Sequence, residues 1–261
     1  MKASLLRLLA LVVSLGTCFA TTAQSQILIS RSSAAPLESH SAVRIKVPEE
    51  ITGTQYQMKW WDTRDDKRAN RRRETGQIFS LSGTDPVAIE GFAFRLNLGT
   101  ADFDGNQQAK ATGQAVTLSI YQATGTSNPT PVGAALYTGT GTLPAGMLAR
   151  DYLTFTLPEA FEATPGTLYS VQIAFNTYGG GNQITLATGS GSLYDGGTGF
   201  WYANLADSDT MDYDVRDRDL DFAVLYTPAP IPEASTLGLL LTSGLLLLAF
   251  HFNRRRTQTI L

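Results

Sequence analysis

The chain has 261 residues, a formal net charge of −3, one cysteine and two histidines. The cysteine is Cys18 and the histidines are His40 and His251, too few groups for a disulfide framework or a zinc site built on His and Cys. Any nucleophile–histidine catalytic arrangement in the body of the chain would have to run through His40. Residues 91–227 carry 5 Lys/Arg against 13 Asp/Glu, a balance that argues against nucleic acid and is compatible with cations or neutral glycans.

At the N-terminus, Lys2 and Arg7 precede an apolar run over residues 8–15, and small residues follow at Ala20, Thr21, Thr22 and Ala23. A charged start, a short apolar helix and a small-residue cleavage region predict a secretory signal peptide over residues 1–23. The body, residues 24–227, contains no cysteine. Its core must stabilise it without covalent help, which a chain of this length can do.

Strand signals dominate from Ser41 onward. Val43, Ile45 and Val47 alternate with Arg44 and Lys46, predicting a half-buried strand whose basic residues face water. Further strands are expected at 55–61, 77–81, 88–98, 115–121, 135–137, 152–157, 168–175, 183–187, 200–203 and 220–226, separated by Gly, Pro, Asn and Asp clusters. The mixed-charge run over residues 62–74 interrupts them and reads as a solvated loop. Many short strands with regular turn signals predict an all-β sandwich or barrel. Residues 153–157 alternate, 158–165 turn and 168–175 alternate again, like a hairpin. This stretch, TFTLPEAFEATPGTLYSVQIAF, is similar to paired strands of jelly-roll modules on exported bacterial proteins, many of which resemble carbohydrate-binding domains. The resemblance implies a jelly-roll-like β-sandwich of eight or more strands, flanked by the signal-peptide helix and one C-terminal transmembrane helix.

Two acidic clusters have the residue types of cation sites. Asp102, Asp104 and Asn106 surround Gly105, and Asp207, Asp209 and Asp212 open a longer acidic series. Calcium takes six to eight oxygens from flexible loops, so these are candidate ligands of a structural calcium. The alternative is solvated turns. Asp219 and Asp221 alternate with Leu220 and Phe222, as on the solvent-facing side of a strand. Trp60, Trp61 and Trp201 offer flat faces for sugar rings. Neighbours in a strand point to opposite sides, so at most one of Trp60 and Trp61 is outward, and core packing is the competing role. The glycine-rich stretches 178–182 and 195–199 precede no helix and have no context as phosphate cradles. No catalytic residue is assigned. The remaining enzymatic alternative is a pair of carboxylates facing across a cleft, as in glycoside hydrolysis.

The C-terminal segment is the most specific. A proline-rich linker, residues 228–231, leads to Pro232, Glu233, Ala234, Ser235 and Thr236; residues 237–252 are then apolar, and Arg254, Arg255 and Arg256 follow. The apolar run is just short of the roughly 17 residues at the lower limit for a membrane span, which suits a temporary stop. The arginines hold that end cytoplasmic and place the body outside. A signal peptide together with this tail resembles the PEP-CTERM proteins, exported bacterial proteins whose tails resemble substrates of exosortase, a membrane protease associated with exopolysaccharide production. The matching positions are Pro232, Glu233, Ser235, Thr236, the helix from Leu237 and Arg254 to Arg256; Ala234 stands where the family has a second proline. The resemblance implies transient contact with the membrane, processing by an exosortase-like protease and delivery to the cell surface or extracellular matrix. The expected role is a non-catalytic one in contact with polysaccharide.

Overall fold

The computed structural model describes residues 25–48, 57–61, 73–96, 111–176, 182–189, 191–203, 212–215 and 218–227. Those residues form two β-sheets, so the all-β expectation holds. The signal peptide expected over 1–23 and the linker and tail expected over 228–261 lie outside the described residues. Among the described residues no helix is long and apolar enough to cross a membrane.

The chain opens with β1 (Ser25–Gln26) in the larger sheet and crosses to β2 (Leu28–Ser32) in the smaller one. A short 3-10 turn, Glu38–His40, leads into β3 (Ser41–Ile45), at the far edge of the smaller sheet. The chain returns to the larger sheet for β4 (Gln57–Trp61) and β5 (Arg73–Ser80), then gives β6 (Val87–Arg95) to the smaller. The larger sheet takes β7 (Ala115–Gly125), β8 (Asn128–Pro131) and β9 (Tyr137–Thr142), and the smaller takes β10 (Tyr152–Ala163). Next come β11 (Leu168–Phe175), β12 (Gln183–Ala187), β13 (Gly199–Ala203) and β14 (Asp212–Val215), all in the larger sheet; β15 (Phe222–Tyr226) closes the smaller.

The larger sheet runs β1-β9-β7-β11-β5-β13-β14, with β4 and β12 extending it beside β5 and β8 folding back on β7. The smaller runs β2-β10-β6-β15-β3 and is antiparallel throughout. Period-two alternation sets the inner faces: in β7, Val116, Leu118 and Ile120 are fully buried while Thr117, Ser119 and Tyr121 are half-buried. The sheets meet through aromatic rings. Phe79 of the larger sheet lies 5.8 Å from Phe92 and 6.0 Å from Phe222 of the smaller, centroid to centroid. Each such side chain contributes about 1.5–3 kcal/mol on burial. A smaller cluster of Ile78, Ala123 and Phe200 covers the outer face of the larger sheet. Gly76 makes room for it, since a Cβ there would lie 2.5 Å from the Phe200 ring.

Four expectations need correction. Segments 153–157 and 168–175 do not form a hairpin: β10 and β11 lie in different sheets, so the turn between them is a crossing from one layer to the other. The mixed-charge run does not stay a loop to its end, because Arg73 and Glu74 begin β5 and Glu74 is only 7% exposed, accepting a hydrogen bond from Gln172 of β11. Arg44 does not face water, although Lys46 does. Asp219 and Asp221 are 0% and 1% exposed. The stretch before Phe222 has neighbours on two sides: the amide of Asp221 donates to the Ala187 carbonyl, and its own carbonyl accepts from the amide of Arg95.

Candidate functional site

The buried carboxylates come first, because they show which acids are committed to structure. Asp221 accepts from Arg44 Nη1 at 2.8 Å and faces Arg95 Nη1 at 3.5 Å. Arg44 comes from β3 and Arg95 from β6, the two strands on either side of β15, so one carboxylate ties three strands. Arg44 Nη2 also donates to the Tyr152 hydroxyl at 2.9 Å, and both guanidiniums sit 5.4–5.5 Å from the Tyr152 ring centroid. Burial and the neighbouring Asp221 charge raise the Tyr152 hydroxyl above its ordinary value, outweighing the two arginines. Asp219 accepts from Gln77 Nε2 at 2.8 Å and from the backbone amides of Leu193 and Tyr194 at 2.7 and 2.9 Å, which joins β5 to the loop ahead of β13. Asp151 accepts from Arg31 at 3.0 Å and from the Leu148 amide at 2.9 Å. Buried charges persist only when paired or well hydrogen-bonded: Asp221 and Asp151 face arginines, and Asp219 accepts three hydrogen bonds.

An open cleft of about 380 Å³ lies on the outer face of the smaller sheet. Its floor comes from Glu90, Thr154, Leu225 and Tyr226, its wall from the segment between β2 and β3, with Pro36, Leu37 and His40. Glu90 is there because of a backbone irregularity. Against β15 the pairing of β6 slips by one residue at this point: Gly91 pairs with Leu225 but Ile89 pairs with Tyr226, so Glu90 is the extra residue. Against β10 the excess lies on the partner, since Gly91 pairs with Thr156 and Ile89 with Phe161. Ile89 and Phe92 both stay in the core. A bulge of this kind re-aims one side chain. Gly91 permits it, since a Cβ there would lie 2.5 Å from the Phe155 carbonyl oxygen. Thr227 Oγ1 donates to Glu90 Oε2 at 2.7 Å, orienting the carboxylate. The cleft thus offers a fixed acceptor, an imidazole, hydroxyls and an exposed apolar rim at Leu37. The sequence reading passes over Glu90, although a glycine inside a strand pattern, Ile89-Glu90-Gly91, is a bulge signal.

Of the residues singled out from sequence, Trp201 is half-buried against the main core, with the Arg73 guanidinium 3.9 Å over its ring. Trp60 and Trp61 lie in β4, paired with Ile184 and Gln183. Asp212, expected in a loop, begins β14 and pairs with Ala203. Asp102, Asp104, Asn106, Asp207 and Asp209 lie outside the described residues, as do Pro232 to Thr236 and Arg254 to Arg256. Among the described residues no group of three or more His, Cys, Asp or Glu is arranged to hold a metal ion.

Fold and cleft define an all-β protein built on two sheets. No protein-family model and no curated protein matches the chain. Among solved structures it is similar to the cysteine protease and lectin-like domains of Cwp84, a surface layer associated protein of Clostridium difficile. The identity there is 9% and the TM-score 0.36, over 67% of this chain and 37% of that one. A clostridial cysteine protease Cwp84 after propeptide cleavage gives 10% identity and a TM-score of 0.36, over 67% and 41%. The chain thus spans less than half the length of either, and a likeness this distant carries no functional argument.

Proposed function

We propose that this is an exported, non-catalytic surface or matrix protein, sorted by its PEP-CTERM-like tail and contacting extracellular polysaccharide through the cleft at Glu90. In this reading the body is a jelly-roll-like sandwich. Successive strands alternate between the layers at β5, β6 and β7 and again at β10 and β11, which supports it. The observation that carries the contact reading is the cleft itself: open, partly apolar and furnished with an acceptor held in place by Thr227. A glycoside-hydrolysing enzyme would need a second carboxylate across the gap, and Glu90 is the one carboxylate among the described residues lining it. Binding is taken to be direct or assisted by calcium at the Asp102 or Asp207 clusters.

The test is co-sedimentation of residues 24–227 with the host's extracellular polysaccharide, in calcium and then in EDTA, for the wild type and Glu90→Ala. Binding weakened by Glu90→Ala supports the cleft, and loss in EDTA adds a calcium site. Binding untouched by both moves contact to another surface, such as the tryptophans. No binding in any condition removes the polysaccharide reading and leaves a structural coat role.

A further inference from the structure

We infer that the domain closes on its last strand: β3 and β15 dock together, in a final step that completes the smaller sheet after the β7, β9 and β11 part of the larger one has formed. This proposal is independent of the sorting tail and of any ligand. Its basis is strand order. β15 is the last strand in the described chain, yet it sits inside the smaller sheet, between β6 and β3. Among the described residues β3 pairs with no strand except β15, so an early segment of the chain has no place in the sheet until the latest one arrives. The contacts that seal it are distant in sequence: Arg44 and Asp221 are 177 residues apart. Within the larger sheet the nearer pairs are those of β7 with β9 and with β11, whereas β13 on β5 and β12 on β4 are distant ones. Local pairings form faster than pairings that must close long loops.

Charge makes the step all-or-none. The partner that neutralises Arg44, at 8% side-chain exposure, arrives only with Asp221, at 1%. Neither group leaves water cheaply alone. The same short stretch brings Asp219 onto Gln77 of the larger sheet and onto Leu193 and Tyr194 in the loop ahead of β13. One segment, residues 219–226, therefore fastens β3, β6 and the larger sheet at once. Before it docks, the Arg44 and Arg95 guanidiniums lack this carboxylate.

The experiment is pulsed hydrogen exchange during refolding of the full chain from urea in mild detergent. Amides of β7, β9 and β11 are expected to gain protection in an early phase, and those of β3 and β15 together in a later one with a shared rate. Asp221→Asn is expected to slow the late phase on the order of tenfold and leave the early phase unchanged. The wild-type order alone is decisive if that variant fails to fold. Protection of β3 ahead of β15, or of all strands in a single phase, overturns the proposal.

Discussion

Removing the Asp221 side chain would leave Arg44 and Arg95 facing each other across β15 without the carboxylate between them. Breaking a buried pair from one side typically costs about 3–5 kcal/mol, so Asp221→Ala should lower the unfolding free energy of residues 24–227 by that measure, read as a lower urea midpoint at unchanged slope. A loss near zero would mean that the site opens to water readily. The pair formed by Lys46 and Glu38 makes the contrast: both side chains are more than half exposed. The Lys46 hydrogen bond holds the Glu38 carboxyl below its usual range, yet Lys46→Ala should leave the same urea midpoint in place because water screens the pair. Tyr152 links this cluster to pH. Its hydroxyl is raised in the fold, chiefly by burial, and an unfolded tyrosine ionises near about 10. Stability is therefore full below that value and is lost as pH rises through the folded value, because the unfolded chain gives up the proton first. Tyr137, raised by burial against its hydrogen bond with Ser25, adds to the same window. Urea titrations from pH 8 to pH 11 should show a shallower loss in Tyr152→Phe than in the wild type. Equal slopes would count against the assignment.

At the scale of elements, the crossing from β1 to β2 depends on two glycines in β9. A Cβ on Gly139 would lie 2.6 Å from Ile27 Cγ2, and one on Gly141 would lie 2.8 Å from the Ile27 carbonyl oxygen and from Ile29 Cγ1. Gly141→Ala should therefore push the first strands off the sheet edge, at about 1–3 kcal/mol for overpacking. Faster proteolytic trimming near Ile27 is the readout, and an unchanged trimming rate would refute the close approach. These short first strands are also what the pattern could not announce. Two residues of β1 and five of β2, with one buried side chain between them in the latter, give no period to read. β7, with buried residues at alternate positions over most of its length, was legible to within a few residues, and β11 and β12 matched at both ends. Sheet membership was not legible, since alternation is the same whether the next strand pairs alongside or crosses to the other layer. Asp219 and Asp221 misled for a related reason. An acid opposite an apolar neighbour signals water only where no arginine or bare amide waits on that face, and Arg44, Arg95 and the Leu193 amide come from three distant segments. Of the cleft, only His40 drew notice in sequence. Glu90 reaches it through a slip in pairing against β15, a strand distant in sequence.

At the scale of the whole molecule, the two sheets and the proposed sorting signals occupy separate parts of the chain. Among the described residues every strand lies between Ser25 and Tyr226, so a cut after Ala23 removes none of these strands, and one near Pro232 leaves β15 whole. This separation gives the tail a clean test. At 1.5 Å per residue the apolar stretch 237–252 covers about 24 Å as a helix, against a hydrocarbon core of about 30 Å. In the proposed sorting, such a stop would hold only with its flanks engaged at the interface, and the Arg254 to Arg256 triplet would supply the cytoplasmic anchor. Glu233→Ala should then leave unprocessed precursor in the membrane, while replacing the three arginines with alanine should misorient or release it. In both variants the body should remain as resistant to protease as the wild type, because no strand is altered. Mature mass measured by mass spectrometry, together with limited proteolysis, reads the two effects apart. Normal mature mass in both variants would remove the sorting assignment. Loss of protease resistance would instead show that the tail contributes to the stability of the two sheets.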